Sequence, residues 1–307
     1  MSDFPGPLED TIHEALQRCG DFSAWKSLVR VGGGCISQAA RLDTADNVYF
    51  IKWNSHPYPK MFQVESDSLI YLAGTHSVNV PRVYAWGEKE GSSPAYILME
   101  WVGVAVGERH ERHQRLLGEQ LAALHRCSSE AYGNRFGLWF DNFIGSNPQL
   151  NTWSGSWVDF FRDCRLKPQF DLAVRQGRMP GKRRRMLENA MDHLDLFLGG
   201  RDIRPSLLHG DLWGGNFILG ANGQPFLIDP AIYFGDREAD LAFTELLGGF
   251  WGDFYDAYQA AWPLDPQYAE RKSIYNLYHL LNHLNLFGES YGGSVDAILS
   301  HYFDNPK

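Results

Sequence analysis

The residues best suited to chemistry lie in two short segments, "LLHGDLWGGNF" at 207–217 and "FLIDPA" at 226–231. A carboxylate buried among apolar residues without a partner is strongly destabilising, so a ligand or partner is expected here. A hairpin of 217–219 and 226–228 would bring Asn216 and Asp229 to the same end. Amide and carboxylate oxygens are ligands that Mg²⁺ prefers, so both residues are predicted to bind it. Asp211 is predicted to be the base that accepts a proton from a hydroxyl group.

The N-terminal part of the chain contains residues that suit the binding of a nucleotide. Gly32, Gly33 and Gly34 lie between two predicted strands, where glycine lets backbone N–H groups approach phosphates. Lys52 ends the apolar strand segment "VYFIK", and Glu65 lies on the following helix, within reach of an ion pair. This order of glycine loop, lysine, glutamate, Asp-x4-Asn and strand-ending Asp is that of protein-kinase-like phosphoryl transfer.

The elements that must position these residues change in character near residue 101. Residues 1–101 read mostly as antiparallel strands with one inserted helix, because β-branched and aromatic runs alternate with turn residues. Residues 102–307 read mostly as helices, interrupted at 205–230 by loops and short strands. The predicted helices include residues 156–177, 181–199, 238–247 and 268–287. The prediction is an α+β, bilobal protein-kinase-like fold. It has a small β-rich N-lobe that binds nucleotide and a larger, mainly helical C-lobe with the catalytic loop and acceptor site.

The composition argues against several other classes of protein. The chain has 307 residues, a formal net charge of -9 and a pI near 5.6, so neither a nucleic acid nor a membrane surface is an expected partner. The N-terminus lacks a signal-peptide pattern, and no apolar run has the length of a membrane span. The four cysteines show no CxxC spacing. A cytoplasmic chain with free thiols is expected.

The chain resembles the fructosamine kinase (ketosamine-3-kinase) family over residues 8 to 303. The motif "HGDLWGGN" alone would suggest any small-molecule kinase related to the aminoglycoside and choline kinases, whereas "NPQLNTWSGSWVDFF" narrows the resemblance to this family. The other segments that carry it are "VGGGCISQAARL", "FIKWN", "LMEW", "LIDPA" and "YNLYHLLNHLNLFG". The resemblance implies ATP- and Mg²⁺-dependent phosphorylation of the 3-hydroxyl of a ketosamine, either a small molecule or a glycated lysine. The product falls apart, which implies deglycation; the sugar (fructosamine, ribulosamine or erythrulosamine) is left open.

The kinase-like order of motifs and the family resemblance predict roles for further residues. The backbone of Met99, Glu100 and Trp101, in the connector between the lobes, is expected to meet adenine. Trp213, inside the catalytic loop, is expected to stack on a sugar ring. The remaining candidates are His209, which is expected mainly to hold the loop, Asn151 and Trp153 at the edge of the acceptor pocket, and Cys35.

Cys35 lies in the glycine loop, where amide dipoles can lower the pKa of a thiol. The family resemblance also implies redox sensitivity here, through a disulfide between two subunits. The chain is therefore expected to be a monomer or a weak, redox-linked homodimer; an inert residue in the loop is the alternative.

Two other functions remain open on the sequence. The first is a kinase for another small hydroxyl compound, such as an aminoglycoside or an amino alcohol, against which the "NTWSGSW" segment argues. The second is a nucleotide-binding pseudokinase. The presence of Lys52, Asp211, Asn216 and Asp229 argues against it, since a pseudokinase usually lacks at least one of these residues.

Overall fold

The computed structural model describes residues 6–32, 37–103 and 111–303, which form two compact units. Unit 1 comprises residues 1–113 and 217–230, and unit 2 comprises residues 114–216 and 231–307. In the described parts of the chain, no helix has both the length and the apolar character that crossing a membrane requires.

Unit 1 is built on a five-stranded antiparallel sheet with the strand order β1-β2-β3-β5-β4. Helix α1 (Gly6–Cys19) precedes the sheet, and α2 (Met61–Gly74) is inserted between the third and fourth strands. The strands are β1 (Trp25–Arg30), β2 (Gln38–Thr44), β3 (Val48–Asn54), β4 (Val83–Gly87) and β5 (Ala95–Glu100).

Strand β5 is buried on both faces of this sheet. Leu98 packs in one cluster with Leu8 and Ile12 of α1, whereas its neighbour Ile97 packs in another with Phe62 of α2. Successive side chains of a strand point to opposite faces, so a strand covered by a helix on each face needs an unbroken apolar run. The segment "AYILM" supplies that run, and the last residues of β5 lead into the predicted connector.

A short hairpin from later in the chain completes unit 1. Strands β9 (Phe217–Leu219) and β10 (Pro225–Leu227) pair antiparallel, as predicted to within one residue. Asn79 holds the hairpin twice: its carbonyl accepts from the Leu227 amide (2.9 Å), and its Nδ2 donates to the Pro225 carbonyl (3.1 Å). The predicted N-lobe of residues 1–101 did not include this hairpin, because the contact with Asn79 joins segments far apart in sequence.

Unit 2 is mainly helical, with two short two-stranded ladders. In the ladders, β6 (Asn142–Ile144) pairs with β7 (Asn147–Gln149), and β8 (Ser206–Leu208) pairs with β11 (Tyr233–Gly235). Its described helices are α3 (Glu111–His125, beginning just before the unit boundary), α4 (Trp157–Phe160), α5 (Lys167–Arg175), α6 (Gly181–Asp192), α7 (Asp195–Leu198), α8 (Glu238–Leu247), α9 (Gly252–Ala261), α10 (Tyr268–Phe287) and α11 (Gly292–Phe303).

The predicted helices agree with the structure most closely where glycine marks the helix end. Helices α8 and α10 have the predicted bounds, and each is followed by a glycine with positive φ, Gly248 and Gly288. The single helix predicted over 181–199 is instead two helices, α6 and α7, separated at His193 and Leu194. The helix predicted over 156–177 contains a π-helical turn at Phe161–Leu166 between α4 and α5.

Candidate active site

Lys52 of β3 joins two carboxylates of unit 1. Its Nζ donates to Glu65 Oε1 (3.0 Å) and Oε2 (3.2 Å), and to Asp229 Oδ1 (3.0 Å). The predicted Lys52–Glu65 ion pair is thus present, and Asp229 shares the same ammonium group. The side chains of Lys52 and Glu65 are 15% and 11% exposed, whereas that of Asp229 is 46% exposed. Asp229 therefore presents carboxylate surface to a ligand while Glu65 does not.

Charge and burial act in opposite directions on this cluster. Burial alone would lower the pKa of Lys52, but the carboxylates of Asp229 and Glu65 outweigh it and hold that pKa above its usual value. Burial raises the pKa of Glu65, against the attraction of Lys52. The ammonium group therefore stays charged throughout the physiological range of pH.

Asp229 is held in an unusual backbone conformation. Its φ is +52°, in the left-handed region that non-glycine residues seldom occupy. Such strain persists where the surrounding structure imposes it, and it concentrates at functional sites. Asp229 directly precedes Pro230, which ends unit 1. The positive φ, the exposed carboxylate and the bond to Lys52 together make Asp229 a candidate functional residue.

The loop predicted to be catalytic, residues 209–216 and named the catalytic loop below, follows β8 in unit 2. Gly210 has a φ of +81°, and a Cβ there would collide with the carbonyl oxygen of Ala231, so only glycine fits. Asn216 Nδ2 donates to the backbone carbonyl of Asp211 (2.8 Å) and to Asp211 Oδ2 (3.0 Å). These bonds orient the half-buried Asp211 carboxylate, and they leave Asn216 Oδ1 as the amide atom suited to a metal.

A buried carboxylate on α8 fixes the backbone of this loop. Asp240 Oδ2 accepts from the His209 amide (2.7 Å), and Oδ1 accepts from the Gly210 amide (2.9 Å). His125 Nε2 lies 3.2 Å from Asp240 Oδ2, and His125 Nδ1 lies 2.8 Å from the Tyr258 hydroxyl. A neutral imidazole that donates from Nε2 and accepts at Nδ1 satisfies both contacts. The two residues before Asp211 are thereby tied to the core of unit 2.

The pKa values of His125 and Asp240 are shifted in the directions that a neutral imidazole and an ionised carboxylate require. Burial lowers the pKa of His125 despite its contact with Asp240, so the ring is neutral at physiological pH. Burial alone would raise the pKa of Asp240, but hydrogen bonds, from His125 first and also from the Gly210 amide, hold it below its usual value. Asp240 is therefore a carboxylate in the folded protein and can accept from both loop amides.

The predicted acceptor residues differ in their accessibility. Trp213 is 38% exposed, and its indole lies over Gly215, where a Cβ would collide with the ring. Trp153 is half-buried, with its ring centroid 5.1 Å from that of Tyr132 and the Arg135 guanidinium 5.5 Å from its centroid. Trp213 is thus available to a ligand in unit 2, and Trp153 belongs to an aromatic stack.

Two of the predicted acceptor residues are buried. His209 has no exposed surface, and its Nδ1 accepts from the Asp211 amide (3.3 Å). This agrees with the expectation that it holds the loop. Asn151 is 1% exposed; its Nδ2 donates to Asn142 Oδ1 (3.0 Å), and its Oδ1 accepts from Arg165 Nη2 (2.8 Å). The Asn151 amide is therefore engaged by the protein itself, and its place at the edge of the acceptor pocket stays a prediction.

The predicted nucleotide-binding backbone is described only in part. Met99 is buried on β5, and the Glu100 amide donates to the Arg82 carbonyl (2.8 Å). Trp101 stacks on Phe50, with ring centroids 6.5 Å apart. Gly32 has nothing within 4 Å of the position of a Cβ. Gly33, Gly34 and Cys35 lie outside the described residues.

The predicted magnesium ligands, Asn216 and Asp229, are too few to bind a metal ion by themselves. Among residues 6–32, 37–103 and 111–303, no three or more His, Cys, Asp or Glu side chains form a metal-binding group. Unit 1 contains the exposed Asp229 carboxylate, and unit 2 contains the Asn216 amide oxygen; each is the kind of oxygen that Mg²⁺ binds. Mg²⁺ commonly binds to one or two such protein ligands and completes its coordination with phosphate oxygens and water. The chemistry of each donor is thus compatible with a metal that arrives with a nucleotide.

Comparison with known proteins identifies the family. The sequence model of the family described as fructosamine kinase matches residues 8–305. A probable ketoamine kinase of Synechocystis sp. is 40% identical over 296 residues, which cover 96% of this chain and 96% of that protein. The chain belongs to the fructosamine kinase family. As a fructosamine kinase family member, it is a phosphotransferase with an alcohol group as acceptor.

Other members of the fructosamine kinase family are similar in sequence and structure. The chloroplastic protein-ribulosamine 3-kinase of Oryza sativa subsp. japonica is 35% identical over 302 residues, covering 96% of this chain and 84% of that protein. A crystal structure of a candidate fructosamine-3-kinase from Haemophilus somnus has a TM-score of 0.86 and 29% identity, covering 96% of this chain and 97% of that one.

Aminoglycoside phosphotransferase APH(4)-Ia shares only the fold, with a TM-score of 0.64 and 18% identity over 96% of this chain and 98% of that one. The predicted kinase-like α+β fold is confirmed.

Sequence reasoning missed the residues that support the catalytic loop. Asp240 lies 30 residues after Gly210, in the segment "GDREADLAF", and His125 is the last residue of α3. The available signal was three acidic residues, Asp236, Glu238 and Asp240, next to an apolar helix segment in "LAF". All three are less than 5% exposed. Acidic residues at such positions indicate buried partners, but spacing alone does not identify them.

Proposed function

We propose that the protein transfers the γ-phosphoryl group of ATP to the 3-hydroxyl of a ketosamine. The observation that carries the proposal is the catalytic loop, in which Asn216 orients the half-buried Asp211 carboxylate and Asp240 fixes the two preceding amides. The relatives named as ketoamine and ribulosamine kinases support the choice of acceptor.

Asp211 is the proposed base of the reaction. The acceptor hydroxyl oxygen forms a bond to the γ-phosphorus while the bond from that phosphorus to the bridging oxygen of ADP breaks. The hydroxyl proton passes to the Asp211 carboxylate, and ADP carries away the bonding electron pair. A positioned base of this kind contributes about 10²- to 10⁴-fold to the rate. The Asn216 bond to Oδ2 holds the carboxylate in one orientation.

Residues of unit 1 are proposed to bind the nucleotide. The Lys52 ammonium would contact the α- and β-phosphates, with Glu65 holding it from the buried side. The glycine loop Gly32–Gly34 would donate amides to phosphate, and the backbone of residues 99–101 would meet adenine. Asn216 and Asp229 are the proposed Mg²⁺ ligands. When bound, Mg²⁺ neutralises the phosphate charge as it shifts towards the leaving ADP.

The proposed acceptors are ketosamines carried by small amines or by lysine side chains, and the proposed outcome is deglycation. Fructosamine, ribulosamine and erythrulosamine adducts share the 3-hydroxyl that the reaction requires. The relative from rice is named for ribulosamine, which makes that sugar the first to test. We place the reaction in the cytoplasm, where ATP is available and thiols are kept reduced.

The deciding experiment measures ADP release with ATP, Mg²⁺ and lysine adducts of the three sugars. Release that requires a ketosamine and falls by about 10²-fold or more in Asp211→Asn is the expected result. Asp256→Asn, an exposed carboxylate on α9, is the matched control and should retain wild-type activity. Nucleotide binding without ketosamine-dependent release would contradict the proposal, and it would favour a different acceptor or a pseudokinase.

A further inference from the structure

A second loop of unit 2 is joined directly to the catalytic loop. Residues 248–251, the Gly248–Trp251 loop, connect α8 to α9. The Gly214 amide donates to the Gly248 carbonyl (3.1 Å). A Cβ at Gly214 would lie 2.7 Å from Gly249 Cα, and a Cβ at Gly249 would lie 2.5 Å from Gly214 Cα. The two backbones therefore touch at a point where neither can carry a side chain.

The Gly248–Trp251 loop is anchored along its length. Gly248 and Gly249 have φ values of +73° and +96°, which favour glycine. Phe250 is 9% exposed and packs on Phe254, with ring centroids 4.7 Å apart. The Trp251 amide donates to Oε1 of Gln114, a buried residue of α3 (3.2 Å). The position of the Trp251 backbone is thereby set by both α3 and the catalytic loop.

The indole of Trp251 is exposed although its neighbour Phe250 is buried. Trp251 is 43% exposed, and Trp213, one residue before the Gly214 contact, is 38% exposed. Two residues of chain span at most about 7 Å, so the Trp251 backbone stays close to Gly249 and hence to the catalytic loop. Trp213 is one residue from Gly214, and Trp251 is two residues from Gly249. The two accessible indoles are therefore carried by segments whose backbones are in contact.

These indoles suit the two ends of a ketosamine. The apolar C–H surface of a sugar packs well on an aromatic ring. The adduct's secondary amine is protonated at neutral pH, and an indole is the aromatic side chain that attracts such a cation best. If Trp213 stacks on the sugar, as expected from the sequence, the remaining indole on the adjoining loop is available to the amine and its aliphatic chain.

We propose that Trp251 is an acceptor-binding residue that contacts the protonated amine and the attached aliphatic chain of the ketosamine. The proposal rests on the proposed function and deepens it, since it assigns recognition of the amine-bearing side to the Gly248–Trp251 loop. Trp251 then determines how well a lysine adduct binds and takes no part in proton transfer.

Steady-state kinetics of ketosamine-dependent ADP release test the proposal, with the ribulosamine adduct of lysine as the acceptor. Trp251→Ala should raise the KM for the acceptor by about 3- to 30-fold, while kcat and the KM for ATP stay within about twofold of wild type. Trp251→Phe keeps an aromatic face and should recover most of the affinity. Phe287→Ala truncates an aromatic of similar exposure (47%) at the end of α10 and should leave all three constants unchanged.

The outcomes separate this proposal from the proposed function. An unchanged acceptor KM in Trp251→Ala, with wild-type turnover intact, overturns the role of Trp251 alone. That role is also overturned if kcat and the KM for ATP change together with the acceptor KM, or if Phe287→Ala has the same effect, because either result indicates a structural role. No ketosamine-dependent release by the wild type overturns both proposals.

Discussion

At the residue scale, the central feature is one ammonium group shared by two carboxylates. Lys52 contacts Glu65 and Asp229 at 3.0 Å each, and only Asp229 is well exposed. Removing one partner of a buried charge pair is far more costly than removing both, because the remaining charge has lost its compensation. Glu65 is therefore the residue most affected by any change at Lys52.

A double substitution separates the structural role of Lys52 from its proposed catalytic role. Lys52→Met should lower the free energy of unfolding by about 1 to 3 kcal/mol, because it leaves the Glu65 carboxylate buried without a cation. It should also lower ADP release by at least about 10²-fold. Adding Glu65→Gln removes the unpaired charge, so stability should partly recover while activity does not. Urea unfolding and ADP release measure the two effects; a double variant no more stable than Lys52→Met would contradict this account.

The residues that could be predicted from sequence are those whose role depends on local spacing. Asn216 contacts Asp211 five residues away within one loop, and Lys52 meets Glu65 of the next helix. The burial of Asn151 could not be predicted, because its partner Arg165 is a buried guanidinium of a later helix, and burial of an arginine is not visible in a sequence. Gly33, Gly34 and Cys35 stay predictions.

At the element scale, helix α8 supports the catalytic loop at both of its ends. Asp240, in its first turn, accepts from the amides of His209 and Gly210, and Gly248, just after its last residue, accepts from the Gly214 amide. One rigid helix therefore positions the loop before and after Asp211. No pattern within the loop or the helix reveals this, because it depends on their approach in three dimensions.

Replacing Asp240 should affect both the stability of the fold and turnover. In Asp240→Asn only one side-chain oxygen remains, so one of the two loop amides must face an NH2 group. We expect the free energy of unfolding to fall by about 1 to 3 kcal/mol. We also expect kcat to fall by at least about tenfold, because the proposed base, Asp211, is displaced. Asp256→Asn is the control, since that carboxylate is exposed on α9. Wild-type kcat in Asp240→Asn would show that the loop does not need this support.

The backbone contact between Gly214 and Gly249 leaves no room for a side chain at either residue. A methyl group at position 214 would meet Gly249 Cα at 2.7 Å and the Gly248 carbonyl oxygen at 2.8 Å. Gly214→Ala should therefore separate the two loops, cost about 1 to 3 kcal/mol of stability and lower kcat. Gly252→Ala has open space around the new methyl group and should behave as wild type in thermal unfolding and turnover. Equal behaviour of the two variants would refute the close contact.

At the scale of the whole molecule, acid should destabilise the fold partly through one buried carboxylate. Asp21, just after α1, accepts hydrogen bonds from Ser23, Thr44, Asn47 and Tyr49, and so joins that helix to the β2–β3 turn. Burial alone would raise the pKa of Asp21, but these bonds, from Ser23 first, outweigh it and hold the pKa well below its usual range.

The sign of this pH dependence follows from the lowered pKa. The ionised Asp21 contributes its full stabilisation above the pKa it has when unfolded, near 3.9, and loses it as the pH falls towards the lower folded value. We expect the urea midpoint to fall from pH 5 to pH 3. Asp21→Asn should cost about 1 to 3 kcal/mol at pH 6 and show a shallower pH dependence. Parallel curves for Asp21→Asn and wild type would exclude this contribution.

The overall architecture was largely accessible from the sequence. Strand β5 reads as an unbroken apolar run, and helices α8 and α10 end at glycines, so both classes of element carry local signals. No local signal predicts that the 217–230 hairpin belongs to unit 1. Its position depends on two hydrogen bonds with Asn79, which lies well over a hundred residues earlier. Long-range backbone pairing of this kind leaves little trace in composition or periodicity.

That allocation has a consequence for recombination between relatives. A chimera that joins the first 113 residues of one parent to the remainder of another would separate Asn79 from the hairpin with which it evolved. The parental contact between Asn79 and the hairpin would be kept only by exchanging two pieces together, residues 1–113 and 217–230. Swaps of this two-piece kind should yield folded hybrids more often than single-crossover swaps, and laboratory shuffling of these genes can be designed around those three junctions.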